Sequence, residues 1–523
     1  LVTKPEAIEN FLNARTITPL RVKGRDPNWL LDYIQKVGGI EPNFKTTPRP
    51  YQLEAIPFAL QSKGCLLFYD LQLGKTKIGL DWLAYLFSVK WISRALIIAH
   101  APIGVDVWCG QIPTHSDLNI CPIRSSPNAF AEFCDALESD HQAILLTWPT
   151  LQNMFTIKKK MRKKERMKLY PNHEMLREVA PFFDALIIDE IHRAMRFDGL
   201  YFQIAAEIST NCQWCLGLTG TPFGRDPSGL WAEAFLTDKG KTLSTSYHFF
   251  LEAFGKEVYN YAIKRYETVF DKDKLPILQA KLEHMMLPYT REEVQTTNIL
   301  TGLVKLPMSK SQKDAYNDAI DNFIKDGDFD DITATTNIFV RLRQIASGFL
   351  PFIDTEGNTR TIDFDDATKY EWLEDFVSQL DKRLKCIIFH EFTHTGQRIC
   401  DILTRAKVFH DWLHGGVRNR PTIIGGFQTG STQILVSNTA TGGTGITLSR
   451  ADYLCFFESP TSVIVRQQAA ARPMARGDRL LVIDDIICAP VEEKILGFHQ
   501  EGKELLAEFR RSPRQFLDSV KIT

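Results

Sequence analysis

The chain has 523 residues, 44% hydrophobic and 24% charged, with no tract whose composition forbids a packed core. That length exceeds one ordinary core and predicts two large lobes. The 62 Lys and Arg residues oppose 63 Asp and Glu, which excludes a general pull on polyanions, so any nucleic-acid contact must come from local patches.

Residues 1–46 carry Pro, Gly and aromatic residues without a sustained period and end at Thr46-Thr47-Pro48-Arg49-Pro50, predicting a small N-terminal accessory region and a linker. From Gly64 the pattern becomes apolar strand, glycine turn and amphipathic helix, repeated several times. This is the α/β pattern of parallel sheets covered by helices. Cys65 to Tyr69 form the first strand, and Ile78, Trp82, Leu83 and Leu86 mark one face of the helix that follows. Between them lies Leu73-Gly74-Lys75-Thr76. A glycine-flanked loop at a helix N-terminus lets backbone N–H groups approach phosphate oxygens. Lys75 would contact the β/γ-phosphates and Thr76 would offer a hydroxyl to Mg²⁺. The plain alternative is the start of a surface helix.

Ala95 to Ala99 and Ala143 to Thr147 are further buried strands, both far too short to span a membrane, and no membrane partner or signal peptide is expected. Lys158 to Lys168 holds eight Lys or Arg in eleven positions, Lys158, Lys159 and Lys160 among them. The segment is read as salt-sensitive phosphate contacts from a protrusion, as a solvated insertion, or as a nuclear localisation signal. Asp189-Glu190 ends the apolar strand beginning at Ala185, where open α/β sheets place ligand-binding residues. Asp189 would hold hydrated Mg²⁺, and Glu190 would orient or deprotonate an attacking water. A helix-capping acidic pair is the alternative. The ten cysteines form no framework, which fits a reducing compartment. Cys212 and Cys215, the one close pair, have no second pair and lead into the strand Cys215 to Thr219, so a buried structural role is expected. The twelve histidines show no metal-ligand spacing.

Residues 223–380 are richer in helical patterning and include an acidic segment, Asp326 to Asp331, read as a solvated loop. A second strand-and-helix series follows, with strands at Cys386 to Phe389, Gln433 to Ser437, Tyr453 to Phe457 and Leu480 to Ile483. Thr439, Gly442, Gly443 and Thr444 lie in a run of small residues after an apolar strand, where a phosphate backbone can approach the main chain. The alternative is an ordinary glycine-rich turn. Arg472 and Arg476, after Gln467-Gln468, are candidates for the positive charge that phosphoryl transfer requires.

Taken in order, these residues resemble superfamily 2 helicases, and within them the switch/sucrose-non-fermenting family of ATP-dependent DNA translocases. Arg49-Pro50-Tyr51-Gln52 is similar to the family's entry motif, which implies that Gln52 reads adenine beside Arg49. Ile97 to Pro102 with Trp108, Ile144 to Leu151, Asp189 to His192, Leu218 to Pro222, Arg341 to Ile345, the Thr439 run and Gln468 to Gly477 follow in family order. Departures are Gln72 in place of a glycine, Ile191 in place of an alanine, Thr447 where asparagine is usual, and an Arg472-to-Arg476 spacing one residue longer than the family's.

The resemblance implies two tandem RecA-like lobes with helical insertions, and these domains: 1–46 accessory, 47–295 ATP-binding lobe, 296–380 helical connection, and 381–523 second lobe. It also implies ATP and Mg as cofactors, with Gly74, Lys75, Thr76 and Gln468 at the nucleotide. The activity it implies is ATP-driven translocation on double-stranded or branched DNA by a monomer, in a compact protein of bacterial or bacteriophage type located in the cytoplasm. A strand-separating DNA or RNA helicase and a nucleotide-gated DNA clamp with little hydrolysis are the competing readings.

Overall fold

A computed structural model of the chain describes residues 4–70, 72–100, 103–160, 167–220, 227–260, 265–294, 298–328, 331–354, 356–417, 419–442, 448–473, 480–500 and 513–522. The chain divides into two compact units, one of Leu1–Tyr259 with Tyr266–Gln295, the other of Asn260–Arg265 with Thr296–Thr523.

The first unit is built on β1 (Gly64–Tyr69), β2 (Ala95–Ala99), β3 (Ile120–Pro122), β4 (Ala143–Thr147), β7 (Ala185–Asp189), β8 (Trp214–Thr219) and β11 (Met286–Tyr289). They form one seven-stranded sheet in the order β11-β1-β8-β7-β2-β4-β3, parallel throughout. Alternate residues of each inner strand enter two separate cores. Leu66, Leu96, Ile144, Leu186 and their like face one, and Leu67, Ile97, Leu145 and Ile187 face the other. Burial on both faces is why these strands are unbroken apolar runs rather than alternating ones. The helix Pro27–Gly38, in the 1–46 region, places Leu30 and Ile34 in the second of these cores. Two separate two-stranded sheets accompany it, the antiparallel pair β5 (Thr156–Lys160) with β6 (Met167–Pro171), and β9 (Gly255–Asn260) with β10 (Arg265–Phe270).

The second unit holds β12 (Ile299–Lys305), the β13 (Phe349–Ile353) and β14 (Thr359–Asp363) hairpin, β15 (Cys386–His390), β16 (His410–Leu413), β17 (Ile434–Asn438), β18 (Tyr453–Phe456) and β19 (Leu481–Ile487). Six of them form a parallel sheet in the order β12-β19-β18-β15-β17-β16. A separate helical core gathers Tyr316, Phe339, Leu342, Val491, Ile495 and Leu517.

The α/β class with two tandem parallel sheets is as expected, and eight of the nine anticipated strands fall within about a residue of β1, β2, β4, β7, β8, β15, β17 and β18, while β19 runs four residues past the expected end at Ile483. The other four sheet strands were not anticipated. Ile120–Pro122 is three residues long, and Met286–Tyr289, Ile299–Lys305 and His410–Leu413 are sheet edges. An edge strand with one side open to water has no continuous apolar run to signal it. Residues 300–303 of β12 are all exposed. The segment 296–380, read as helical, thus contributes β12 to the second sheet, together with the helices Lys310–Asp326, Ile332–Ala346 and Thr368–Gln379.

Gly217 in the middle of β8 marks where the helix Gly229–Asp238 lies directly on the sheet. A Cβ there would stand 2.7 Å from both Ile191 Cδ1 and Leu66 Cδ2. Gly217→Ala is therefore expected to destabilise the protein by about 1–3 kcal/mol through overpacking, measured as a lowered denaturation midpoint. An unchanged midpoint would show that the Ile191 and Leu66 side chains can give way without loss.

Candidate nucleotide site

All strands of the first sheet run the same way, so their C-terminal ends share one edge. Because β8 lies between β1 and β7, the loop after β1 and the acidic pair after β7 flank Thr219 at the end of β8.

The loop after β1 turns into the helix Lys75–Ser88 at Gly74, whose φ of 79° is left-handed. A Cβ on Gly74 would also meet Gln52 Nε2 at 2.3 Å, so glycine is required twice over. The approach exists because Gln52, buried in the helix Pro50–Ser62, donates from Nε2 to the Leu73 carbonyl at 3.0 Å, while its Oε1 accepts from the Arg49 N–H at 3.0 Å. The amide thus clamps the loop and keeps one further donor and acceptor position. The Arg49 guanidinium donates to the Tyr51 hydroxyl at 3.3 Å. The buried ammonium of Lys75 donates to the Tyr69 carbonyl at 2.8 Å. Thr76 is half-buried in the first helical turn.

Asp189 is held from three sides. The Trp108 indole donates to its Oδ2 at 3.1 Å, the Glu190 N–H donates to its Oδ1 at 3.1 Å, and the Trp148 indole donates to its carbonyl at 3.3 Å. Glu190 has φ of 50°, an uncommon conformation for a non-glycine residue. Its Oε2 lies 3.2 Å from His192 Nδ1 and accepts from the Thr219 hydroxyl at 3.4 Å, and His192 Nδ1 is itself 2.9 Å from Thr219 Oγ1. The two carboxyl groups are pushed apart in acidity. Burial, and then the charge of Glu190, raises Asp189 above the ordinary carboxylate range. Burial also opposes ionisation of Glu190, but the His192 hydrogen bond and the charges of Lys75, His192 and His100 outweigh it and hold Glu190 low. The Lys75 charge acts on both. Sequence reasoning singled out Lys75, Asp189 and Glu190, which the structure brings together, but gave no role to His192, Trp148 or Glu233.

Glu233, on the helix Gly229–Asp238, is fully buried and neither carboxyl oxygen has a hydrogen-bond partner among the described residues. Burial first, and the Glu190 charge second, raise its pKa well above the ordinary carboxylate value. Its signal was a lone acid inside an apolar helical stretch, Leu230 to Leu236.

In the second unit the Thr439 hydroxyl donates to the His390 carbonyl at 3.2 Å, tying the end of β17 to that of β15. Asn438 caps the short helix Thr439–Gly442 by accepting from the Ala440 N–H at 3.1 Å. Gly443, Thr444 and Arg476 lie outside the described residues, as does the side chain of Lys160. Gln468 is buried in the helix Val463–Ala471, and Arg472 follows as its C-cap, its carbonyl accepting from the Leu448 N–H at 3.0 Å. Two charged groups here escaped sequence reasoning. Glu458 accepts from the N–H groups of Glu391 and Phe392 at 2.6 and 3.0 Å and from the Thr395 hydroxyl at 2.6 Å. Arg466 pairs with Asp485 at 2.7 Å and lies 3.3 Å above the Phe456 ring. Cys212 and Cys215 are buried.

The SNF2-related domain family matches residues 25–348, more than half of the chain. The chain belongs to the SNF2-related family. A helicase conserved C-terminal domain matches residues 368–477, which take in β15 to β18 and the Gln468 helix. Among relatives of this SNF2-related chain, a Bacillus subtilis protein named as an ATP-dependent helicase/translocase is 24% identical over 505 residues, covering 89% of this chain and 49% of that protein. An Acanthamoeba polyphaga mimivirus protein named as a helicase is 28% identical over 121 residues, covering 22% and 14%. The chain spans about half the length, or less, of these curated relatives. Two solved structures of the Sulfolobus solfataricus SWI2/SNF2 ATPase core are also similar, each with a TM-score of 0.40. The one in complex with dsDNA has 19% identity over 92% of this chain and 99% of that one, and the other has 18% identity over 97% and 98%.

Gln72 stands in the left-handed region at φ 68°, so Gln72→Gly should stabilise the protein by roughly 0.5–1 kcal/mol, read as a raised denaturation midpoint. A lowered midpoint would mean that the Gln72 side chain contributes more than its backbone costs. For Glu233, folding holds a proton that the unfolded chain releases above about pH 4.5. Relative to Glu233→Gln, the wild type is therefore most stable below that pH. It loses about 1.4 kcal/mol for each further pH unit until the folded group itself ionises. Denaturant unfolding of both proteins over a pH series checks this, and a pH-independent difference would refute the buried neutral acid.

Proposed function

We propose that the chain is an ATPase that translocates on double-stranded DNA. The observation that carries this reading is the convergence at one sheet edge of Lys75, on a glycine-started helix, with the ionised Glu190 and the indole-held Asp189. Helix N-terminus, Lys75 and Gly74 suit a polyphosphate, and Gln52 and Arg49 sit beside the loop on its adenine side in this reading. Thr76 and Asp189 are the groups that would hold Mg²⁺. No cluster of three or more His, Cys, Asp or Glu able to hold a metal is found among the described residues. That fits a cation bound through one carboxylate, one hydroxyl and the phosphates of its nucleotide. When bound, the cation supplies charge neutralisation at the phosphates.

Glu190 is the residue that accepts or orients the proton of the attacking water. Its low proton affinity leaves it ionised at neutral pH, and the contacts of His192 and Thr219 to Oε2 fix its direction. Gln468, Arg472 and Arg476 of the second unit are assigned to the nucleotide, the arginines supplying positive charge as phosphoryl transfer proceeds. Thr439, Gly442, Gly443 and Thr444 are assigned to the phosphate backbone of DNA. Contacts to phosphates carry no base information, as movement over any sequence requires.

Glu190→Gln should keep ATP binding while lowering turnover by about 10²–10⁴, measured as phosphate release with and without duplex DNA and as nucleotide affinity at equilibrium. Wild-type turnover in this variant would remove Glu190 from the role. A folded wild-type protein that hydrolyses ATP without response to duplex DNA would reject the translocase reading.

A further inference from the structure

The two described ends of the basic segment lie in an antiparallel ribbon, Thr156–Lys160 with Met167–Pro171, whose register sorts Lys158, Lys159 and Lys168 by face. Lys159 stands directly opposite Lys168, and Ile157 opposite Tyr170, whereas Lys158 pairs with Leu169. Side chains alternate along a strand, so Lys159, Lys168, Ile157 and Tyr170 share one face and Lys158 is on the other. Lys159 and Lys168 are both exposed.

A like-charged pair directly across an antiparallel ladder is destabilising, its Cβ atoms only about 5 Å apart. The neighbourhood does not neutralise it. The Lys168 ammonium lies 5.5 Å from the centre of the Tyr170 ring, which steadies it without cancelling its charge. The Lys168 charge also reaches Asp198, but that carboxylate already accepts two hydrogen bonds from Arg196, at 3.2 and 3.1 Å. A local rule broken at an exposed position, with no salt bridge to either lysine among the described residues, fits an external anion. The ribbon also grows from the functional edge of its unit. It follows β4 and the helix Trp148–Met154, whose first residue donates to the Asp189 carbonyl.

We propose that Lys159 and Lys168 form a cross-strand clamp for a backbone phosphate of duplex DNA, with the Lys158 face of the ribbon turned away from it. This rests on the reading of the chain as a DNA translocase and adds to it a contact outside the assigned glycine-rich segment. Two lysines bracketing one phosphate hold backbone without reading bases and release counterions as they do so.

The test is a fluorescence anisotropy titration of labelled duplex DNA with the whole chain over a range of salt concentrations. Replacing both clamp residues, Lys159→Gln with Lys168→Gln, should make the slope of log affinity against log salt shallower by about 0.9, the contribution of one neutralised phosphate. Lys158→Gln should leave the slope as in wild type. Lys159→Arg with Lys168→Arg, which keeps both charges, should retain it. The thermal midpoint of the Gln pair should equal or exceed that of wild type, since a repulsion has been removed, so a loss of slope would not reflect unfolding. An unchanged slope in the Gln pair, or an equal loss per charge in Lys158→Gln, would overturn the clamp and leave the translocase reading intact. A wild-type protein that binds no duplex DNA at all would overturn both.

Discussion

Two carboxyl groups on adjacent residues at a buried strand end repel each other, and the first unit is organised around that repulsion. Lys75 acts on both acids, but the remaining support is unequal: His192 and Thr219 contact Glu190, while Trp108 gives Asp189 a neutral hydrogen bond. Unequal support pushes the two acidities apart, and a pair so divided has one member suited to accept a proton. The order β1-β8-β7 makes this possible, because a single strand of separation brings a lysine and an acid pair from distant parts of the chain to the same edge.

The parts of this arrangement legible in the sequence are those written in consecutive residues. Ala185 to Asp189 announces a strand buried on both faces, and Leu73 to Thr76 announces a turn into a helix. What could not be read is what arrives from elsewhere. Trp148 begins a helix after β4 and Trp108 lies on a helix after β2, yet both indoles converge on Asp189. Two tryptophans in apolar helical stretches signal core, and they are core; nothing in their spacing distinguishes a buried ring whose N–H also serves a carboxylate. The edge strands β11, β12 and β16 were lost for a different reason. A strand paired on one side has weaker demands on its composition, and β12 carries exposed residues through most of its length.

Backbone conformation separates strain at the candidate site from ordinary helix endings. Lys63 and Lys239 both have positive φ, and each simply caps a helix C-terminus, where a left-handed residue closes the last turn and a cation complements the helix dipole. Gln72 and Glu190 have positive φ as well, but no helix ends at either. They occupy the two loops that flank the end of β8. Left-handed non-glycine residues persist where surrounding structure over-determines them, and here the determinants are visible: Gln52 grips Leu73 beside one, and His192 with Thr219 grips the other.

The second unit meets the same problem of charge at a sheet edge by a different route. Glu458 follows β18 and is almost wholly buried, yet it spends its carboxylate on two backbone N–H groups and a hydroxyl after β15, with no cation among those three donors. Arg466 and Asp485 neutralise each other over an aromatic ring. Breaking either network leaves a buried charge without compensation, which is costly whatever the intact pair contributes. These contacts hold the ends of β15, β18 and β19 in register before any ligand arrives. Thr439 is anchored to the same edge through the His390 carbonyl, so the end of β17 shares in the same set of fixed contacts.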